Sequence, residues 1–121
     1  MGDPIHPVDG TAFMLAASRA SVPPSRLSDL LADAQVALVE RRETYRRRYE
    51  RPLETPAFEA FLVNEGHWAE LGEEFDWRRR DHEAVARAHR QKLLQAGKGA
   101  DRRREFENAL DLREAVVVGT D

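Results

Sequence analysis

Between residues 24 and 51 the apolar side chains hold one helical phase for about six turns, and no other stretch constrains the fold as much. Leu27, Leu30, Leu31, Ala34, Leu38, Tyr45 and Tyr49 fall within an arc of about 100° at 100° per residue, the stripe of a helix lying on a core. Pro23 and Pro24 suit a helix start, Ser21 or Ser25 can cap it, and Pro52 stops it. The pattern predicts one amphipathic helix over about 24–51, roughly 40 Å long, as the spine of a predominantly α-helical domain. A stripe of that length needs more cover than short neighbouring helices supply, which predicts self-association as a homodimer.

The polar face of this stretch changes sign along its length. Asp29, Asp33 and Glu40 precede Arg41, Arg42, Arg46, Arg47, Arg48 and Arg51, an order that suits the helix dipole. The alternation continues down the chain. Residues 1–40 carry a net charge of −3, residues 41–51 of +4, residues 52–76 of −7, residues 77–104 of +7 and residues 105–121 of −4. Blocks of opposite sign can neutralise one another within one molecule or across a two-fold dimer. With a net charge of −3 and a pI near 5.8, the chain is not a uniformly basic nucleic-acid binder, although a local basic face is compatible with both.

The 121 residues fit one domain. Residues 1–10, with Pro4, Pro7 and Gly10, read as a flexible N-terminal arm, and residues 11–121 as a single helical domain. Asp9 or Thr11 caps a helix over 12–20 whose Phe13, Met14 and Ala17 dock on the long helix. The apolar run 12–17 is too short to span a membrane. The absence of cysteine removes any disulfide or thiolate site, and a cytoplasmic setting is the expectation.

Residues 52–56 read as a turn, with Thr55 and Pro56 as a helix entry. Residues 57–63 suit either a short buried helix or a strand. The β-branched run of Val116, Val117 and Val118 is costly in a helix and natural in a ladder. A minor two-stranded pairing of 61–63 with 116–118 follows. Asn64 caps a helix carrying Trp68, Leu71 and Phe75, and the next carries His82, Val85, His89 and Leu93 to a stop at Gly97; a break near Asp76 is favoured, although spacings of three and four run on from Trp68 to Ala96 as in one uninterrupted helix. Asp101 then caps a helix containing Phe106 and Leu110.

Three arginine clusters are the candidate contacts for an anion or a nucleic acid: Arg46, Arg47 and Arg48 between two tyrosines, Arg78, Arg79 and Arg80 after Trp77, and Arg102, Arg103 and Arg104 before Phe106. Guanidiniums interleaved with aromatic rings offer phosphate contact together with base stacking. The second and third clusters stand at helix N-termini, where positive charge opposes the dipole unless an anion is near. Glu73, Glu74 and Asp76 for one, and Glu105 and Glu107 for the other, are the internal anions that would resolve this conflict.

No phosphate loop, nucleotide fingerprint or nucleophile motif occurs, so no catalytic, cofactor or metal site is predicted. His82 and His89 share a helix face expected to be packed, but seven residues separate them by about 10 Å. His67, Glu70 and Glu74 line a face opposite the Trp68 stripe and are expected to point to water. The sequence thus predicts a non-enzymatic interaction or regulatory protein that self-associates. The alternative is a nucleic-acid-binding regulator of helix-turn-helix type, although Phe75, Asp76 and Trp77 lack the glycine usual in that turn.

Overall fold

The computed structural model describes residues 7, 8 and 10–120. Of the arm read over 1–10, residues 1–6 and 9 lie outside the described residues, while Val8 is fully buried in the core.

Helices predominate, as the sequence predicts, but the long helix is two helices. α1 (Gly10–Arg19) is followed by α2 (Pro24–Glu40) and α3 (Arg42–Arg48). At Arg41 the backbone leaves the helical region with φ −103° and ψ 11°, its N–H bonding back to Leu38. The apolar stripe is real, since Leu27, Leu30, Leu31, Ala34, Leu38 and Tyr45 are all buried, but a straight rod is not needed to bury it. The bend seats the Tyr45 ring 5.6 Å from Phe61 and turns Arg42 and Arg46 toward Glu59. Tertiary contact outweighs the continuity of local pattern here. The helix also ends at Arg48 rather than at Pro52, which lies inside a strand.

The ladder is larger than expected. β1 (Glu50–Glu54), β2 (Phe58–Asn64) and β3 (Arg113–Gly119) form an antiparallel sheet in the order β1-β2-β3. The two segments do pair, but of 61–63 only Phe61 meets 116–118, opposite Val116; Ala60 and Glu59 pair with Val117 and Val118, and Leu62 and Val63 with Ala115 and Glu114. Residues 57–63 are therefore strand, not helix. Thr55 makes the hairpin: its hydroxyl accepts the N–H groups of Ala57 and Phe58, and its own N–H donates to the Phe58 carbonyl. Pro52 is tolerated because β1 is an edge strand, with a register shift between Glu50 and Leu53.

Both faces of β2 and β3 are covered, which is why these strands read as unbroken apolar runs. Phe61, Val63, Val116 and Val118 join a core with Leu27, Leu31, Leu38, Trp68 and Val85. Phe58, Ala60, Leu62, Ala115 and Val117 point the other way, toward Leu93, Leu94, Phe106 and Leu110. α5 (Arg79–Gly99) supplies both cores and carries α1 on its flank. α1 therefore docks on α5 rather than on α2, burying Ala12 and Ala16 and leaving Met14 exposed.

α4 (His67–Glu74) and α5 are separate helices, with the break at Asp76. Asp76 takes the left-handed position (φ 59°), and the N–H groups of Asp76 and Trp77 bond to Glu73 and Gly72, the pattern that ends a helix tightly. Asp101 (φ 58°) does the same after α5, so it terminates that helix and does not cap α6 (Arg103–Ala109). Gly97 lies inside α5, where a Cβ would stand 2.4 Å from the Phe106 ring. Its role is close approach of α6, not the helix stop. The cap of α4 is Glu114 of β3, not Asn64: its carboxylate accepts from the N–H groups of Gly66 and Trp68 at 3.1 and 3.0 Å.

Candidate interaction surface: arginine clusters around the sheet edge

Glu59 is the only acidic residue in the apolar run of β2, and its side chain is fully buried. Burial of a carboxylate is costly unless it is paired and hydrogen-bonded. Arg46 meets both oxygens, Nε to Oε2 at 2.9 Å and Nη2 to Oε1 at 2.7 Å. Arg51 adds Nη1 to Oε2 at 2.7 Å, and Arg42 brings its Nε to 3.5 Å from Oε1. The Arg46 hydrogen bonds hold the Glu59 carboxyl below its usual range, against the opposing effect of burial, and Arg51 reinforces them. Arg42 also donates to the Gly119 carbonyl, tying α3 to the end of β3.

The first arginine cluster is therefore divided. Arg46 is committed to Glu59 and Glu43. Arg47 and Arg48 are exposed, Arg48 lying 5.8 Å from the Tyr49 ring centroid, and neither has a carboxylate partner among the described residues. In the third cluster Arg102 grips Glu105 at 3.1 and 2.7 Å, stacks 4.7 Å from the Phe106 centroid and donates to the Pro52 carbonyl at 2.7 Å. Arg103 pairs with Glu107, and Arg104 is exposed with no carboxylate partner among the described residues. Glu105 and Glu107 are thus the internal anions the sequence suggested.

The second cluster finds different anions. Arg79 pairs with Glu83 at 3.0 Å, and the start of α5 is satisfied by Asp81, whose Oδ2 accepts the Arg78 N–H at 3.1 Å. Asp81 is almost fully buried and held by both arms of Arg26, at 3.1 and 2.9 Å; Arg26 lowers its pKa most, opposed by burial and helped by the Arg78 N–H. Glu74 instead pairs with Arg41. Arg80 is exposed.

The three clusters do not share one face. Arg78, Arg79 and Arg80 begin α5 and Arg102 follows its end; its 21 residues put about 30 Å between them. The first and third clusters do meet, because both border β1: Arg46 through Glu59 and Arg51, and Arg102 through Pro52.

The opposite edge of the sheet is closed by side chains that sequence reasoning passed over. Gln35 of α2 donates to the Val117 carbonyl at 2.7 Å and accepts the Gly119 N–H at 2.9 Å, as the amide of a further strand would. His89 Nδ1 accepts the Val117 N–H at 2.9 Å, and the Trp68 indole donates to the Ala115 carbonyl at 2.9 Å. The signal was present: Gln35 interrupts the apolar stripe of α2 and Glu59 the apolar run of β2, and such interruptions mark buried, satisfied polar groups.

His67 does not face water. Its Nε2 lies 2.5 Å from the Tyr45 hydroxyl, and its ring stands edge-on to Tyr45, Tyr49 and Trp68. Burial lowers its pKa, Glu70 and Glu114 opposing and Arg41 and Arg48 assisting; burial also raises that of Tyr45. His89 is packed as expected, while His82 is half-buried. No group of three or more metal-ligating side chains occurs among the described residues, nor any helix long and apolar enough to cross a membrane.

Residues 6–120 match a family model whose description is "Domain of unknown function (DUF8048)". The chain belongs to this family. No curated protein and no solved structure matches it.

Proposed function

We propose that this chain is a non-enzymatic interaction domain, in a cytoplasmic setting, that associates with a second copy of itself through surfaces of opposite charge. The observation that carries this reading is a mismatch of charge left over inside the monomer. Asp29, Asp33 and Glu40 lie along one exposed face of α2, with Val36 exposed at 62% among them; Arg26 and Arg41 act on Asp29 and Glu40 only through space, and none of the three carboxylates forms an ion pair among the described residues. Within the clusters at the sheet edge, Arg47, Arg48 and Arg104 are exposed cations without a carboxylate partner among the described residues. A two-fold pairing would set each acidic face on a basic one twice over. The length of the 24–51 stripe no longer supports self-association, because the bend at Arg41 and the sheet bury it.

Light scattering coupled to size exclusion at low salt should give a mass near twice 13.8 kDa, falling toward the monomer as salt rises. The double variant D33R/E40R should be monomeric at low salt, and adding R47E/R48E should restore part of the dimer. A monomer at micromolar concentration in low salt overturns the reading.

The second reading, nucleic-acid binding, is favoured by the meeting of the first and third clusters at β1. It predicts affinity for duplex or single-stranded DNA that falls steeply with salt and is lost in R47E/R48E/R104E. Absence of binding at low salt ends it.

A further inference from the structure

Between α5, the start of β3 and the loop entering α4 lies a cavity of about 490 Å³, within the range of small-molecule sites. Three guanidiniums line it: Arg87 and Arg90, three residues apart on α5, and Arg113 at the start of β3. Each is tethered through Nη1, Arg87 to the Arg19 carbonyl at 2.8 Å, Arg90 to the Leu110 carbonyl at 3.0 Å and Arg113 to Glu50 at 2.8 Å. A guanidinium has five donors, so a single tether fixes each fork while leaving most of its hydrogen-bonding capacity available. Fixing the fork beforehand lowers the entropy that a ligand must offset.

Four carboxylates line the same cavity, and two are already committed. Glu83 pairs with Arg79, and Glu114 caps α4. The side-chain carboxylates of Glu65 and Asp111 make no hydrogen bond or ion pair among the described residues, and Arg87 and Arg90 have no carboxylate partner there. The cavity therefore presents uncompensated charge of both signs, with Leu110 and Ala115 as apolar wall. A simple anion would be attracted by the arginines and repelled by Glu65 and Asp111, and a simple cation the reverse. Only a molecule carrying both charges gains at both ends.

We infer that this cavity binds a compact zwitterion, its carboxylate or phosphate held by Arg87 and Arg90 and its ammonium group by Glu65 and Asp111. The test is an NMR titration of the full chain with β-alanine and phosphoethanolamine, against propionate, ethyl phosphate and ethylamine as carriers of one charge. At least one zwitterion should bind at least about tenfold more tightly than its single-charge controls, with shifts centred on Arg90, Leu110 and Ala115. The surface double variant E65Q/D111N should abolish that advantage with its thermal midpoint unchanged, and Arg87→Gln should weaken whichever zwitterion binds about tenfold. Equal affinity for the three classes of probe, absence of shifts at millimolar probe, or shifts centred elsewhere overturns the inference. Vesicles containing phosphatidylethanolamine separate the sources of this chemistry. Cosedimentation lost in E65Q/D111N assigns the site to a lipid headgroup, and retention in solution assigns it to a free molecule.

Discussion

Along β3 the outward backbone groups are taken up by an amide, an imidazole and an indole, whereas β1 is held by Pro52, a register shift and one arginine. Both strands are edges and face the same danger of pairing with a foreign chain. They meet it differently because they sit at different depths. Val117 and the groups that bind it are buried, where a neutral partner avoids the desolvation cost that a charge would bring. β1 lies near solvent, where arginine keeps its head hydrated while covering a carbonyl. The closed edge is part of the core, and the charged edge borders solvent.

The largest expected effect comes from opening the closed edge. Gln35→Leu keeps the apolar stripe of α2 intact but leaves the Val117 carbonyl and the Gly119 N–H without partners. At roughly 1–3 kcal/mol for each buried orphan, the variant should lose about 3 kcal/mol in urea unfolding. Arg102→Gln at the other edge removes a bond to Pro52 that water can replace, a solvent-exposed ion pair with Glu105 and contact with the Phe106 ring, and should cost much less than Gln35→Leu. Similar losses in the two variants would break the comparison.

Gly97 sharpens it from the other side. A Cβ there would stand 2.4 Å from Phe106 Cδ2 and 3.3 Å from the Arg103 Cα, and Phe106 is fully buried. Gly97→Ala must therefore push α6 outward and carry Arg102 away from Pro52. Overpacking costs about 1–3 kcal/mol, partly offset by the roughly 1 kcal/mol that alanine contributes to a helix, for a net loss near 1 kcal/mol. Hydrogen exchange should quicken at β1 amides and stay unchanged at Val117. Faster exchange at Val117 as well would show that the two edges open together.

The sequence made the closed side half legible and the charged side hardly so. Val116, Val117 and Val118 declared a strand through their branching, and apolar patterning pointed to 61–63 as its partner segment but not to the register, which sets Leu62 and Val63 opposite Ala115 and Glu114. The break at Asp76 was only half readable, because the spacing of three and four runs straight through it from Trp68 to Ala96. β1 was not readable, because Glu50, Arg51, Pro52 and Glu54 carry no strand pattern; their conformation is imposed by pairing with β2. The bend at Arg41 was hidden for the same reason, since the pull of Glu59 on Arg42 and Arg46 comes from a strand more than ten residues away. The candidate surface was legible as arginine clusters, yet which of them hold the fold depended on where Glu59, Asp81, Glu105 and Glu107 came to lie. The pairs of Glu105 and Glu107 are one helical turn from their arginines and were readable, whereas the long-range pairing of Glu59 and Asp81 leaves no local trace.

The smallest effect concerns pH, and it separates the two regions by the window in which each weakens. On the closed side His67 packs against Trp68, whose indole helps seal β3, and burial holds the His67 ring neutral below its ordinary titration range. The unfolded chain takes up a proton near pH 6.5 while the folded chain does not. Stability from this residue is therefore full above that value and declines as pH falls below it. Beneath β1 the lowered Glu59 carboxyl behaves as a paired acid: its contribution persists through that window and is lost only below about pH 4, where unfolded carboxylates begin to protonate. His67→Gln keeps a polar group facing Tyr45 without the titration, so its urea midpoint should fall less than that of the parent chain between about pH 7 and pH 5. The two chains should then fall alike in stronger acid, where Glu59 dominates. Parallel midpoints across the upper window would mean that the ring gains a proton in the folded protein as readily as in the unfolded one. The packing of Tyr45, Tyr49 and Trp68 around it would then not exclude water.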